Sequence, residues 1–166
     1  SVMDCSATAL AAQVIRGKKA SGCGVILDVG RNSTTVIFYE NESVIQIRSL
    51  AFGGRHVTQA LAQDLSVTFD EAETLKVNGD YPETCAGTGK TCSVFCADLK
   101  NTIEFMRING LLLNEPETIT ITGGGSLFVP LRKELETCFS SPVAVLDLIR
   151  LKQVEIPESI SNLVQP

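Results

Sequence analysis

Asp28 and Gly30 follow the apolar run Val25-Ile26-Leu27, and the hydroxyl residues Ser33, Thr34 and Thr35 come just after them. A carboxylate placed where a buried strand surfaces can hold a hydrated magnesium ion, and a neighbouring glycine lets backbone donors approach a phosphate closely. The three hydroxyls add further donors. Asp and Gly also favour an ordinary tight turn, which is the alternative at this position. Gly53-Gly54 opens a helical pattern, where free amide hydrogens and the positive end of the helix dipole form an anion site. Its alternative is a steric glycine pair at a strand-to-helix corner. Glu73 and Lys76 have the spacing of an i,i+3 salt bridge, in itself worth about 0.2–0.5 kcal/mol. Thr122-Gly123-Gly124-Gly125-Ser126 links a strand to a helix at the carboxyl edge of a sheet, where ligands of open α/β sheets collect. It is either a surface cleared of side chains or a flexible turn.

Two other motifs do not carry the chemistry they suggest. Gly87-Thr88-Gly89-Lys90-Thr91 invites a phosphate-loop reading, but the pattern needs a glycine where Thr84 stands, and no strand enters it. His56, the only histidine, has no nucleophile and orienting acid in an evident motif beside it, so it reads as a surface or capping residue. The six cysteines, at 5, 23, 85, 92, 96 and 138, lack paired Cys-x2-Cys spacing. A metal site, a local disulfide and free thiols acting as small hydrophobes are the three readings open to them.

The elements that must position these residues follow from periodicity. Ala7, Leu10, Ala11 and Val14 mark an amphipathic helix over Asp4 to Lys18, with Asp4 or Ser6 as its cap. Val25-Ile26-Leu27 is apolar on both faces, as in a central strand. Thr34 to Glu40 and Ser43 to Leu50 form a hairpin about Glu40-Asn41-Glu42, which completes a three-stranded meander. The helix opened by Gly53-Gly54 carries Val57, Leu61 and Leu65 on one stripe. The capping-box pattern Thr68-x-x-Glu71 predicts a second helix over Asp70 to Val77. Asn78 to Thr91 has no periodicity and reads as a mobile loop. A long helix then carries Leu99, Ile103, Met106 and Leu113 and ends near Glu115-Pro116. Thr118 to Thr122 is a strand, Leu127 to Phe139 a helix, and Val143 to Leu148 a last strand. The wiring combines an antiparallel meander with right-handed crossovers.

Composition narrows the function. The chain has 166 residues, 44% hydrophobic and 20% charged, in the ordinary range of one globular domain with a core of its own. No apolar run reaches the ~20 residues needed to cross a bilayer, so direct membrane insertion is not expected, and SVMDCS lacks the start of a signal peptide. The net charge is −5 and its cations are scattered apart from Lys18-Lys19, so nucleic acid is not an expected partner.

Taken together, the Asp-x-Gly turn, the meander, Gly53-Gly54 and TITITGGGSLFVPLRKELE followed by SPVAVLD resemble the second half of an actin-like nucleotide-binding fold. Within that superfamily the chain resembles the PilM family of type IV pilus assembly proteins, and next the cell-division protein FtsA, from about Asp4 to Leu148. The resemblance implies an α/β, ribonuclease-H-like half-fold with a mixed five-stranded sheet and flanking helices. It implies one actin-like domain over residues 1–166, with a small loop and helix insertion at about 66–114.

By the same resemblance Asp28, Gly30, Ser33 and Thr34 form the second phosphate loop, Asp28 holding magnesium through water. Gly53 and Gly54 lie near the nucleotide and shape the corner. Glu73 and Lys76 touch ribose and base, and Gly123, Gly124 and Gly125 form the adenosine motif. The implied cofactors are ATP and magnesium in the full-length protein. Only one of the two clamping halves is recognisable, so the chain is expected to be an excised second domain that binds nucleotide weakly at best alone. No catalytic residue is assigned, and at most weak ATPase activity is expected of the whole protein. The implied partner is a PilN-like cytoplasmic tail of the inner-membrane assembly proteins, which gives a cytoplasmic, membrane-peripheral location. Other roles for the same half-fold are the actin-like part of a type II secretion platform protein, half of a sugar or acetate-type kinase, and a structural module without nucleotide. Arg31-Asn32 departs from the family at the loop tip, where a long Arg either contacts phosphate or blocks the site.

Overall fold

A computed structural model describes residues 22–41, 43–82, 85–139 and 143–146. The helix expected over Asp4 to Lys18 lies outside them. The strands are β1 (Cys23–Val29), β2 (Thr34–Glu40), β3 (Ser43–Leu50), β4 (Thr118–Thr122) and β5 (Val143–Val145), and they form one sheet in the order β3-β2-β1-β4-β5. β1 runs antiparallel to β2, and β2 to β3, whereas β4 lies parallel to β1 and β5 parallel to β4. This is the mixed five-stranded sheet that the meander and crossovers predict, with β1 central and β5 at an edge.

Alternation sorts β1 into two faces. Cys23, Val25, Leu27 and Val29 join Val36 and Phe38 of β2 and Ile119 and Ile121 of β4 in the main core. Among the described residues four helices follow the meander in sequence: α1 (Gly54–Leu65), α2 (Phe69–Asn78), α3 (Ala86–Ile108) and α4 (Val129–Phe139). Val57, Leu99, Ile103, Met106, Leu131 and Leu135 close the core from the helix side. The capping box at Thr68 is formed, with the Glu71 amide donating to the Thr68 hydroxyl at 3.3 Å and the Thr68 amide to Glu71 Oε2 at 2.9 Å.

Three expectations are corrected. The aperiodic stretch from Asn78 to Thr91 is not all loop, because α3 begins at Ala86 and takes in the Gly87-to-Thr91 segment. Its start is capped from a distance: the amides of Gly87 and Thr88 donate to Asp64, at the end of α1, at 3.0 and 2.9 Å. That carboxylate occupies the donors a phosphate would need, so the phosphate-loop pattern is void for a second reason. The long helix ends at Ile108 rather than near Pro116, because Gly110 takes the left-handed conformation at φ 67° and turns the chain. The helix expected from Leu127 starts two residues later, after a 3₁₀ turn over Gly124–Leu127. Residues 66–114, expected as an insertion, contain α2 and α3, and α3 buries Leu99, Ile103 and Met106 in the same core as the strands.

Asp64 supports one prediction. Burial alone would raise its carboxyl, but hydrogen bonds from Thr88 and Gly87 outweigh that and hold it below the usual carboxylate range. A depressed folded pKa gives stability that is present above the unfolded value and lost as pH falls through the folded one. Asp64→Ala is expected to cost about 1 kcal/mol, and Asp64→Asn to flatten the acid side of the stability profile. Urea unfolding between neutral and acid pH checks both.

The described cysteines, Cys23, Cys85, Cys92, Cys96 and Cys138, are free thiols. Burial pushes Cys92 up to about 12, which keeps it protonated and unreactive. Among the described residues no group of three or more His, Cys, Asp or Glu could hold a metal ion. No helix among them is long and apolar enough to cross a membrane.

Candidate functional site

A cavity of about 520 Å³ opens at the carboxyl ends of the strands. Four segments far apart in sequence build it. The β1–β2 turn supplies Val29, Gly30 and Arg31, and the start of α1 supplies Gly54, Arg55 and Val57. Glu73, Lys76 and Val77 come from α2, and Gly124, Gly125, Leu127 and Phe128 from the 3₁₀ turn. Most of the remaining wall is apolar or aromatic, with Phe52, Tyr81 and Leu131, and the Tyr81 and Phe128 rings lie 5.5 Å apart.

Of the residues singled out in the sequence, Gly30, Gly54, Glu73, Lys76, Gly124 and Gly125 meet around this space. Lys76 reaches across from α2 to α1, donating to Glu73 Oε2 and Thr58 Oγ1 at 2.7 Å each and to the Gly54 carbonyl at 3.2 Å. The buried Thr58 hydroxyl accepts from Lys76, and its one proton faces two acceptors, Glu73 Oε2 and the Gly54 carbonyl at 2.9 Å. The pair is therefore a tie between helices as well as an i,i+3 salt bridge. Burial acts to raise the Glu73 carboxyl, but hydrogen bonds from Lys76 and Thr58 and the positive charges of Lys76 and Arg31 hold it lowered, so it stays anionic.

Gly53-Gly54 corrects the idea of free amides at a helix start. The Gly54 amide donates to the Gly30 carbonyl at 2.9 Å and the Arg55 amide to the Arg31 carbonyl at 2.8 Å. These donors are spent on the turn, so the corner reading holds and the helix end is no vacant anion site. His56 caps the same corner, its Nδ1 accepting from the Gly53 amide at 3.1 Å.

Asp28, Ser33, Thr34, Gly53 and Gly123 do not line the cavity. The Gly30 amide donates to the Ser33 carbonyl at 3.0 Å, which closes the turn. Thr34 is fully buried, and its hydroxyl donates to the Phe52 carbonyl at 2.8 Å; it braces the corner from inside. Asp28 stands at the strand ends between its cross-strand partners Thr35 and Thr122. No donor among the described residues reaches its half-buried carboxylate, and burial raises its pKa. Gly123, at φ 80°, leaves no room for a side chain, since a Cβ there would lie 2.5 Å from Asp28 Oδ1 and 2.7 Å from the Val29 carbonyl oxygen. Gly125 is closed off by Val29, whereas a Cβ on Gly124 would meet nothing within 4 Å.

Sequence reasoning missed Phe52, Arg55, Tyr81 and Phe128. Their signals were a charged residue directly after Gly-Gly and aromatic residues within loops, none of which forms a periodic pattern.

The family model for type IV pilus assembly protein PilM matches residues 2–163. Cell division protein FtsA of Staphylococcus epidermidis is 32% identical over 81 residues, 49% of this chain and 17% of FtsA. The chain thus spans about a sixth of the length of that curated relative. Among solved structures, the PilM-PilN type IV pilus biogenesis complex aligns with a TM-score of 0.67 at 20% identity over 86% of this chain and 42% of the other. The archaeal actin homolog Ta0583 aligns at 0.55 and 18% over 84% of this chain and 49% of its own. The activator of 2-hydroxyisocaproyl-CoA dehydratase from Clostridium difficile, with bound ADPNP, aligns at 0.51 and 10% over 86% of this chain and 64% of its own. At these identities the structural likenesses show the fold, an actin-like ATPase half.

Proposed function

The chain belongs to the type IV pilus assembly protein PilM family, and from that premise we propose that it forms the nucleotide-holding half of an actin-like scaffold in pilus assembly. The observation that carries this reading is the convergence of four separated segments on one cavity at the strand ends. A largely apolar hollow with a few polar groups suits a nucleoside, with apolar walls for the base and a few fixed polar groups for the sugar.

In this reading the adenosine lies against Gly124, Gly125 and the Tyr81–Phe128 wall, and Glu73 and Lys76 meet the ribose and base. Gly30 and Ser33 form the turn that faces the phosphates. Thr34, Gly53 and Gly123 hold that turn and the strand ends in shape. Asp28 fits a magnesium site on its own evidence, as a half-buried carboxylate with no donor among the described residues. Magnesium keeps most of its waters and is commonly held through one or two carboxylates together with substrate phosphates. Asp28 would hold the metal through water, and the metal would neutralise phosphate charge there; Gly123, with no side chain, lets the Asp28 carboxylate keep its place.

We further propose that the domain is the second half of a two-sided clamp, with residues at about 66–114 as its variable part. It acts as a cytoplasmic scaffold peripheral to the inner membrane, bound to a PilN-like partner. Support for the partner comes from the likeness to the PilM-PilN complex, and support for nucleotide from a fold shared with a protein solved with ADPNP.

The test is calorimetric titration of the complete protein with adenosine and magnesium-ATP, beside a Gly124→Leu variant. Open space at Gly124 predicts an unfolding free energy within about 0.5 kcal/mol of the parent and binding of both ligands lost by tenfold or more. Equal binding in parent and variant would remove the nucleotide from this cavity.

A further inference from the structure

The cavity carries an asymmetry of charge that the nucleoside contacts leave unused. Its lining holds three cations, Arg31, Arg55 and Lys76, against a single acid, Glu73. Lys76 is consumed by Glu73 at 2.7 Å. Arg31 and Arg55 are both exposed, and among the described residues neither lies in a salt bridge. Their backbones are fastened together, the Arg55 amide donating to the Arg31 carbonyl at 2.8 Å, and both residues line the same cavity. Two arginines without a salt-bridge partner among the described residues thus line the cavity beside Gly30, and apolar Val77, Leu127 and Phe128 line it as well.

We propose that Arg31 and Arg55 grip the outer phosphates of the bound nucleotide, so that this chain reads phosphate number through guanidinium groups as well as through a metal at Asp28. The inference rests on the nucleotide reading of the same cavity. A guanidinium is permanently charged and presents paired donors that match two phosphate oxygens, which a single hydrated cation does not. Arg31 lines the cavity and is exposed, so its side chain is not buried inside it. Its positive charge is already felt inside the cavity, since it helps to hold the Glu73 carboxyl down. A ligand with an apolar head and two or three phosphates would complement both the apolar and the cationic lining.

The experiment compares adenosine, ADP and ATP binding to the complete protein, each with magnesium and with a chelator present. The parent is set beside Arg31→Ala, Arg31→Lys and the Arg31→Ala/Arg55→Ala double variant, with circular dichroism as the check of folding. In chelator, the preference for ATP over adenosine is expected to fall about tenfold or more in Arg31→Ala and further in the double variant. Adenosine affinity should stay constant, and Arg31→Lys should restore part of the preference. An unchanged preference would mean that the arginines are only solvated charges, and a parallel loss of adenosine and ATP would mean that they shape the cavity; either overturns the proposal. Failure of the parent to bind adenosine would instead sink the nucleotide reading itself, and the phosphate grip with it.

Discussion

Gly53→Ala is expected to destabilise the domain by about 3 kcal/mol, lowering the unfolding midpoint by roughly 10 °C, whereas Gly54→Ala should cost under about 1 kcal/mol. The two glycines are adjacent and look equivalent in the sequence. A Cβ on Gly53 would lie 2.6 Å from the carbonyl oxygens of both Gly30 and Arg31, which are backbone atoms. Those carbonyls accept from Gly54 and Arg55 at 2.9 and 2.8 Å, so moving them aside breaks the bonds that fasten the turn to α1. Conformation is not the reason, because Gly53 is extended at φ −170°. On Gly54 the nearest atom to a new Cβ is Lys76 Nζ at 3.4 Å, an ordinary van der Waals contact with the end of a side chain and not with backbone. Thermal unfolding of both variants decides the matter, and equal losses would refute the close-approach argument.

Asp28→Asn should weaken magnesium-dependent nucleotide binding by about tenfold to a hundredfold and yet make the nucleotide-free protein more stable at neutral pH. The two effects share a cause. Burial without a donor raises the Asp28 carboxyl, so the folded chain binds that proton more tightly than the unfolded chain does. Stability is then fully present below the unfolded pKa of about 3.9 and declines as pH rises through the raised folded value. Asparagine carries no proton to lose. The stability gap between variant and parent should therefore open as pH rises through that window, which denaturant unfolding at a series of pH values would show. Ligand affinity that survives the substitution, or a variant less stable than the parent at neutral pH, would take Asp28 out of the proposed metal role. A ligand-holding carboxylate that costs stability in the empty protein is a familiar exchange of stability for function.

Local chemistry alone determined much of this protein. Runs rich in Val, Ile and Thr about a turn placed β2 and β3, Thr118 to Thr122 placed β4, and a short apolar run identified the central strand. Thr68 and Glu71 announced their helix start because a capping box needs only residues three apart. Asp28 at the end of a buried strand and three glycines after Thr122 marked the sheet's carboxyl edge as the place for a ligand, and the structure puts the cavity there.

What the tertiary structure alone decided involves partners that are distant in the chain. Asp64 starts α3 from 23 residues away, so a glycine-rich stretch that reads as loop becomes helix. The amides of Gly54 and Arg55 look free in the sequence and are taken by carbonyls of the β1–β2 turn. Thr34, a hydroxyl that seemed available to phosphate, faces inward because its place in β2 sends it to Phe52, 18 residues on. Arg55, Tyr81 and Phe128 become neighbours of the cavity only when α1, the segment after α2 and the 3₁₀ turn are packed over the strand ends. Periodicity reports which face of an element is buried. It carries no information about which remote carbonyl or ring will stand opposite, because that depends on how the packed elements are set against one another.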